Sequence, residues 1–229
     1  MDIIARVHSD FPSKFGIPRQ SGLAPELKAQ VVFEPEYRNP DAVRGLEQFS
    51  HIWLIWQFSQ AVRDNWSPTV RPPRLGGNQR IGVFASRSPF RPNSLGLSSV
   101  KLERIELEGP QGPVLHIAGA DLMDGTPIFD IKPYLPYVDS HPEAVGGFTE
   151  ETKDYRLQVE IPDCWLEQVP EKDRQALRNV LELDPRPAYQ KDPDRVYGFG
   201  FAGMEVRFRV EGETVVVCEI SRPLSVSLS

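Results

Sequence analysis

The stretch FSHIWLIWQF, residues 49–58, decides the fold. Aromatic and β-branched residues follow one another almost without a break, over a length that suits a strand better than a helix. The run predicts a strand buried on both faces at the centre of a sheet. His51 is read as a satisfied core histidine rather than a catalytic one. Outward from this run, apolar segments of strand length recur at Ile3–Val7, Ala29–Phe33, Leu97–Leu107, Val114–Ala118 and Ile128–Tyr134. Gly-, Pro- and Asn-containing turns separate them. Within Leu97–Leu107, Val100 and Leu102 alternate with Lys101 and Glu103, and the phase slips before Ile105 and Leu107, which predicts a β-bulge. Asn39-Pro40 supplies an N-cap and a proline at the first helical position, for a short turn through Leu46. Asp124-Gly125 between apolar runs predicts a tight hairpin turn, with a ligand role left open.

The character of the chain changes near residue 150. His141–Thr152 reads as a linker, Tyr155–Ile161 as a strand, and Pro170–Asp184 as a helix with Leu177, Val180 and Leu181 on one face. Val206–Val210 and Thr214–Ile220 read as a hairpin around Glu211-Gly212. The expected architecture is β-rich, with an all-β domain over 1–150 and a smaller α+β domain over 151–229. The 22 prolines of the 229-residue chain exclude a helical bundle. Cys164 and Cys218 lie far apart without metal or redox spacing, and the histidines are scattered, so no metal site is expected and a reducing cytoplasm is the default compartment. The N-terminus lacks the charged and apolar regions of a signal peptide, and the longest apolar run is too short to span a bilayer. Gly198-x-Gly200-x-x-Gly203 matches the dinucleotide fingerprint in letters only. A proline- and charge-rich loop precedes it and an alternating segment follows, so it reads as a glycine-rich entry to a strand.

The segment RIGVFASRSPFRPNSLG, residues 80–96, carries the densest chemistry. It opens like a buried strand at Ile81, Val83 and Phe84. Pro89 and Pro92 then each remove a backbone donor and fix φ, so the chain becomes a stiff loop presenting Ser86, Arg87, Ser88, Arg91 and Asn93. From residue 63 to 91 there are six arginines against one aspartate and no lysine, net +5 within a chain of net charge −6. A basic patch on an acidic protein is the footprint of a phosphate-rich partner, and arginine rather than lysine favours bidentate contacts.

Taken in order, GIPRQSGL, GLEQFSHIWLIWQF, RPPRLGGN, RIGVFASRSPFRPNSLG, DGTPIFDIKPYLPYVDS and DPRPAY resemble the TrmO (TsaA-like) family, from Arg6 to about Tyr189. The resemblance implies S-adenosylmethionine-dependent N6-methylation of threonylcarbamoyladenosine 37 of tRNA. It also implies an N-terminal β-barrel methyltransferase domain unlike the Rossmann type, a smaller C-terminal domain and a homodimer. Residue by residue, it places cofactor contacts at Pro18, Arg19, Gln20, Ser59, Gln60, Arg87, Leu97, Asp124, Gly125, Thr126 and Pro127. Ser59-Gln60 stands where the family commonly has His-Gln, and Ser94 where a proline is common.

Under that resemblance Arg71, Arg74 and Arg91 are candidates for the threonyl carboxylate or anticodon-loop phosphates, Phe90 for base stacking, and Arg186 and Lys191 for an extension of the basic track. Asp124 and Arg91 are the candidate catalytic side chains, with no general base assigned. The alternative is a barrel that binds S-adenosylmethionine or RNA without turnover.

Overall fold

The computed structural model describes residues 1–72, 75, 79–186, 192 and 194–222. Its elements are β1 (Ala5–Ser9), β2 (Lys28–Phe33), β3 (His51–Gln57), β4 (Thr69–Val70), β5 (Ile81–Gly82), β6 (Leu95–Glu106), β7 (Val114–Ala118), β8 (Pro127–Pro133), α1 (Pro136–Asp139), β9 (Gln158–Glu160), α2 (Asp163–Leu166), α3 (Glu171–Glu182), β10 (Tyr197–Phe201), β11 (Met204–Glu211) and β12 (Thr214–Ser221). Strands β1-β2-β7-β6-β3-β8 form a closed barrel, all neighbours antiparallel. A second sheet has the order β10-β11-β12-β9, with β9 parallel to β12 and α3 packed beside β9.

The barrel closes because every strand presents one apolar face. Ala5 and Val7, Ile52, Leu54 and Trp56, Val100 and Leu102, Leu115 and Ile117, and Ile128 all point inward and form one buried cluster. The β3 run is therefore buried on one face, not on both. Trp53, Ile55 and Gln57 face outward and are half-buried. Trp53 is covered by the end of the barrel domain: its indole donates to Asp139 Oδ2 at 3.0 Å, and its ring lies 5.5 Å from that of Tyr134. Apolar outward residues disguise the alternation. His51, at the exposed start of the strand, pairs with Ser50 Oγ at 2.9 Å and is not a core histidine.

Other expectations are met in place. The β6–β7 register shifts between Leu102 and Arg104, where the phase slip predicted a bulge. Asn39 caps the turn at Pro40–Val43 through the Asp41 amide. Gly198 and Gly200 lie within β10, opposite Arg207 and Glu205, so the glycine motif is strand. Two further expectations fail. Ile81 and Gly82 form only a two-stranded ribbon with β4, and Phe84 in the following 3-10 turn is 71% exposed. Asp124-Gly125 does turn the chain, with Gly125 at φ +75°, but β7 and β8 are not partners. Each pairs elsewhere in the ring, so this is a crossover turn rather than a hairpin.

The second core gathers α3 and the inner face of the second sheet, with Leu177, Leu181, Phe201, Val206 and Phe208 fully buried. It also takes Phe11, Ala24 and Leu27 from the segment between β1 and β2. That segment is tied down by Ala202 N donating to Asp10 O at 3.1 Å and by the Asn179 amide on Glu26.

Gly96 faces Trp56 across the β3–β6 pair, and a methyl at Gly96 would run into the indole ring. Gly96→Ala is expected to cost about 1–3 kcal/mol by overpacking. Urea unfolding should show this as a lower midpoint at unchanged slope.

Candidate functional site

Along the chain the six barrel strands alternate strictly in direction. The connections β1–β2 (residues 10–27), β3–β6 (58–94) and β7–β8 (119–126) must then leave from the same end of the barrel. The Pro18–Gln20 triplet, Ser59 and Gln60, Arg71, Arg87, Phe90 and Arg91, and Asp124–Thr126 all lie on these three loops. Leu97 and Pro127 stand at the barrel ends of β6 and β8. Arg74 and Lys191 lie outside the described residues.

Hydrogen bonds stitch the loops together. Gly22 N donates to Gly119 O at 2.8 Å, joining the first loop to the third. The Arg87 guanidinium donates to Gln20 Oε1, joining the first to the second. Phe58 N donates to Ser94 O at 2.8 Å, which sets the Ser59–Gln60 turn against the far end of the proline-braced loop.

A relay reaches this end from the barrel interior. The Trp56 indole donates to Ser98 Oγ at 3.0 Å, and Ser98 Oγ donates to Asp121 Oδ1 at 2.6 Å. Burial raises the Asp121 carboxyl above the ordinary aspartate range, opposed by the Ser98 hydrogen bond, by its own amide, by the charge of Arg87 and by the Ser21 amide. Sequence reading missed Asp121, Ser98 and Ser21. The available signal was an acid entering an apolar strand end, Ala118-Gly119-Ala120-Asp121, without a basic neighbour in sequence.

Asp124 is half-exposed and faces the other side of its loop. Its Oδ1 accepts from Ser9 N at 3.2 Å and lies 3.3 Å from His8 Nδ1. Gly125 N donates to Val7 O at 2.8 Å, and Thr126 Oγ1 donates to Met123 O at 2.6 Å. The turn is thereby clamped to β1.

In the second loop, Arg91 braces its own segment, donating to Ser86 O at 2.8 Å and Ser88 O at 3.4 Å. With Phe84, Pro92, Asn93 and Leu95 it lines a cleft of about 300 Å³. Arg63 lies over the Phe90 ring at 3.9 Å, and the Trp66 and Phe84 rings are 6.1 Å apart, both exposed. Arginines interleaved with exposed aromatics form a surface that suits unpaired bases and phosphates. Arg71 is exposed on the same loop.

Arg19 and Arg186 point elsewhere. Arg186 forks onto Asp184, Nε to Oδ1 at 2.8 Å and NH2 to Oδ2 at 3.0 Å, in a largely buried pair that raises the arginine's pKa further. Its guanidinium is thus engaged internally, where the sequence suggested a solvent-facing cation. Arg19 NH2 donates to the carbonyls of Asp184 at 3.4 Å and Arg186 at 3.3 Å, fastening the first loop to the end of α3.

Among the described residues no group of His, Cys, Asp and Glu could hold a metal ion, and no helix is long and apolar enough to cross a membrane.

Comparison with known proteins bears on this arrangement. The family model described as the tRNA-methyltransferase O N-terminal domain matches residues 6–140, and that of the TrmO C-terminal domain matches residues 154–223. A tRNA (adenine(37)-N6)-methyltransferase of Escherichia coli K12 is 40% identical over 215 residues, covering 90% of this chain and 91% of the relative. One of the same name from Eikenella corrodens is 49% identical over 168 residues, 71% of this chain and 92% of the relative. A crystal structure of TrmO from Pseudomonas aeruginosa superposes with a TM-score of 0.75 at 32% identity, covering 95% of this chain and 96% of that one.

The raised Asp121 carboxyl sets a pH dependence. The folded protein holds this proton more tightly than the unfolded chain. The stability linked to it is therefore fully present below the ordinary aspartate pKa and is lost as pH rises through the raised value. Asp121→Asn is accordingly expected to gain stability relative to the unmodified protein between acid and neutral pH. Melting temperatures of the two proteins across that range check it.

Proposed function

The chain belongs to the TrmO family, and from that premise and the geometry above we propose that it methylates N6 of threonylcarbamoyladenosine 37 in tRNA, using S-adenosylmethionine. The observation that carries this reading is the meeting of three loops, distant in sequence, at one end of the barrel, joined through Gln20–Arg87 and Gly22–Gly119, with the third tied to β6 through Ser98–Asp121. S-adenosylmethionine, when bound, supplies an activated methyl group on a sulfonium centre.

The residues present fit such a ligand. Exposed Leu97 offers an apolar face, and the second oxygen of Asp124 can accept from an ammonium. Pro18, Gln20, Ser59, Gln60 and Arg87 lie on the two other loops of the same barrel end, and Gly125–Pro127 follow Asp124 in the third. Arg19 serves by fastening its loop to the chain after α3. Methyl transfer of this kind requires in-line approach, so the chain's main contribution is to fix both partners at attack distance. Such positioning accounts for roughly 7–11 kcal/mol of a barrier. A nitrogen conjugated to a carbonyl is a weak nucleophile, and loss of its proton needs a base, which this reading leaves unassigned. Asp124 and Arg91 are both partly committed, to the Ser9 amide and to the loop carbonyls.

On the tRNA side, Arg71 and the remaining N–H groups of Arg91 would meet phosphates and Phe90 would stack on a splayed base. Arg74 and Lys191 belong to the same proposed track. Arg186 contributes to it only by holding Asp184. The reading extends to a cytoplasmic homodimer with a methyl-transferring unit at 1–150 and a smaller unit at 151–229. Free Cys164 and Cys218 support the compartment.

Incubation with tritiated S-adenosylmethionine tests the proposal. Label is expected in tRNA carrying the threonylcarbamoyl group and not in tRNA lacking it; binding of both ligands without incorporation would leave the non-catalytic module instead. Arg87→Ala should lower kcat/KM by about 10–100-fold, the range of one lost hydrogen bond to a charged group. Arg71→Ala should reduce the slope of log affinity for tRNA against log salt by about 0.7. Filter binding at several salt concentrations reads that slope.

A further inference from the structure

We propose that Asp121 is a positioning residue for cofactor binding: held from the barrel interior by Ser98, it sets the 18–22 loop and Arg87 in the arrangement the cofactor meets. The inference rests on the functional reading above and assigns a role to a side chain that none of the sequence motifs singled out.

Three features carry it. First, the carboxylate is aimed. The Ser98 hydroxyl has one proton, which it gives to Asp121 at 2.6 Å, and its lone pair accepts from the Trp56 indole at 3.0 Å. Ser98 is 1% exposed and Trp56 7% exposed, so neither donor has water as an alternative. Gly96 clears the space that seats the indole. The relay therefore adds the rigidity of β3 and β6 to a loop that is also clamped to β1.

Second, the groups facing Asp121 belong to the other two loops. Ser21 turns its amide toward the carboxylate, one residue before the Gly22–Gly119 bond, and Arg87 is the charged group whose field it feels. Arg87 itself donates to Gln20. The carboxyl thus lies two residues after the Gly22–Gly119 bond and acts on Arg87, the partner of Gln20, through its field.

Third, an ionisable side chain stands where burial disfavours its charge. Burial disfavours the ionised carboxyl, and an asparagine of the same shape would accept from Ser98 equally well. A side chain kept only for packing would not need to ionise here, whereas one that orients an arginine does.

The test uses the full-length protein and Asp121→Asn, with S-adenosylmethionine as the probe. Calorimetry is expected to show cofactor Kd raised by at least about tenfold, the loss of one charge-assisted contact. In steady state on threonylcarbamoylated tRNA, KM for the cofactor should rise in step, while KM for tRNA stays within about twofold. Near-UV circular dichroism should be unchanged. Cofactor Kd and kcat both within about twofold of the unmodified protein would overturn the proposal, as would losses that track a fall in melting temperature.

If the variant does not fold, the unmodified protein decides. Its cofactor affinity should weaken as pH falls, and the dependence should persist in Asp124→Asn and in His8→Gln, which remove the other carboxyl of that loop and the β1 imidazole facing it. An affinity flat across the acid range overturns the proposal. Failure of the unmodified protein to bind S-adenosylmethionine at all would count against the functional reading itself, and is read separately.

Discussion

Closure of β1 onto β8 is the constraint on which the rest depends. An antiparallel sheet closed on itself has no free edges, and its strands can turn only at two ends. Because each barrel strand runs opposite to its predecessor in the chain, odd-numbered connections share one end and even-numbered ones the other. The long β1–β2 and β3–β6 excursions and the β7–β8 turn fall on the same end. Residues more than 100 positions apart in sequence, such as Gln20 and Asp124, are brought to one rim by strand direction alone.

The second unit is built onto that rim rather than strung after it. Phe11, Ala24 and Leu27 leave the first connection to enter a core made mostly of residues beyond 150, and Arg19 binds the carbonyls that follow α3. The buried Asp184–Arg186 pair holds those carbonyls in place. Removing either partner of such a pair strands a charge in a poorly solvated setting, which is why the pair acts as a fastener more than as a source of net stability. The loop carrying Pro18–Gln20 is thus clamped from two sides, by the barrel through Gly22–Gly119 and by the second core through Arg19.

Polarity enters the barrel only where the rim requires it. Ser98 and Thr126 are the buried polar side chains of its described residues, and each is satisfied, Ser98 by Trp56 and Asp121 and Thr126 by the Met123 carbonyl. A hydrogen-bonded pair in a dry interior is directional in a way that apolar packing is not. It converts the stiffness of the sheet into a fixed orientation for the carboxylate at its mouth.

Strand placement was legible in the residues because alternation and turn chemistry are local: Val114–Ala118 was located to the residue, and the β6 bulge was visible as a slip of phase. Helix α3 announced itself by its apolar stripe and the proline that follows it. Where outward positions were also apolar, as at Trp53 and Ile55, alternation was hidden and both faces looked buried. The chemistry of the Arg63–Arg91 window and the family resemblance were likewise written in the chain. Which strands became neighbours, that Asp124-Gly125 was a crossover and not a hairpin, that Arg186 turned inward and that Asp121 met Ser98 were decided only in the folded molecule. Pairing, burial and field act between residues that the sequence does not place together, whereas propensity and periodicity act between residues that it does.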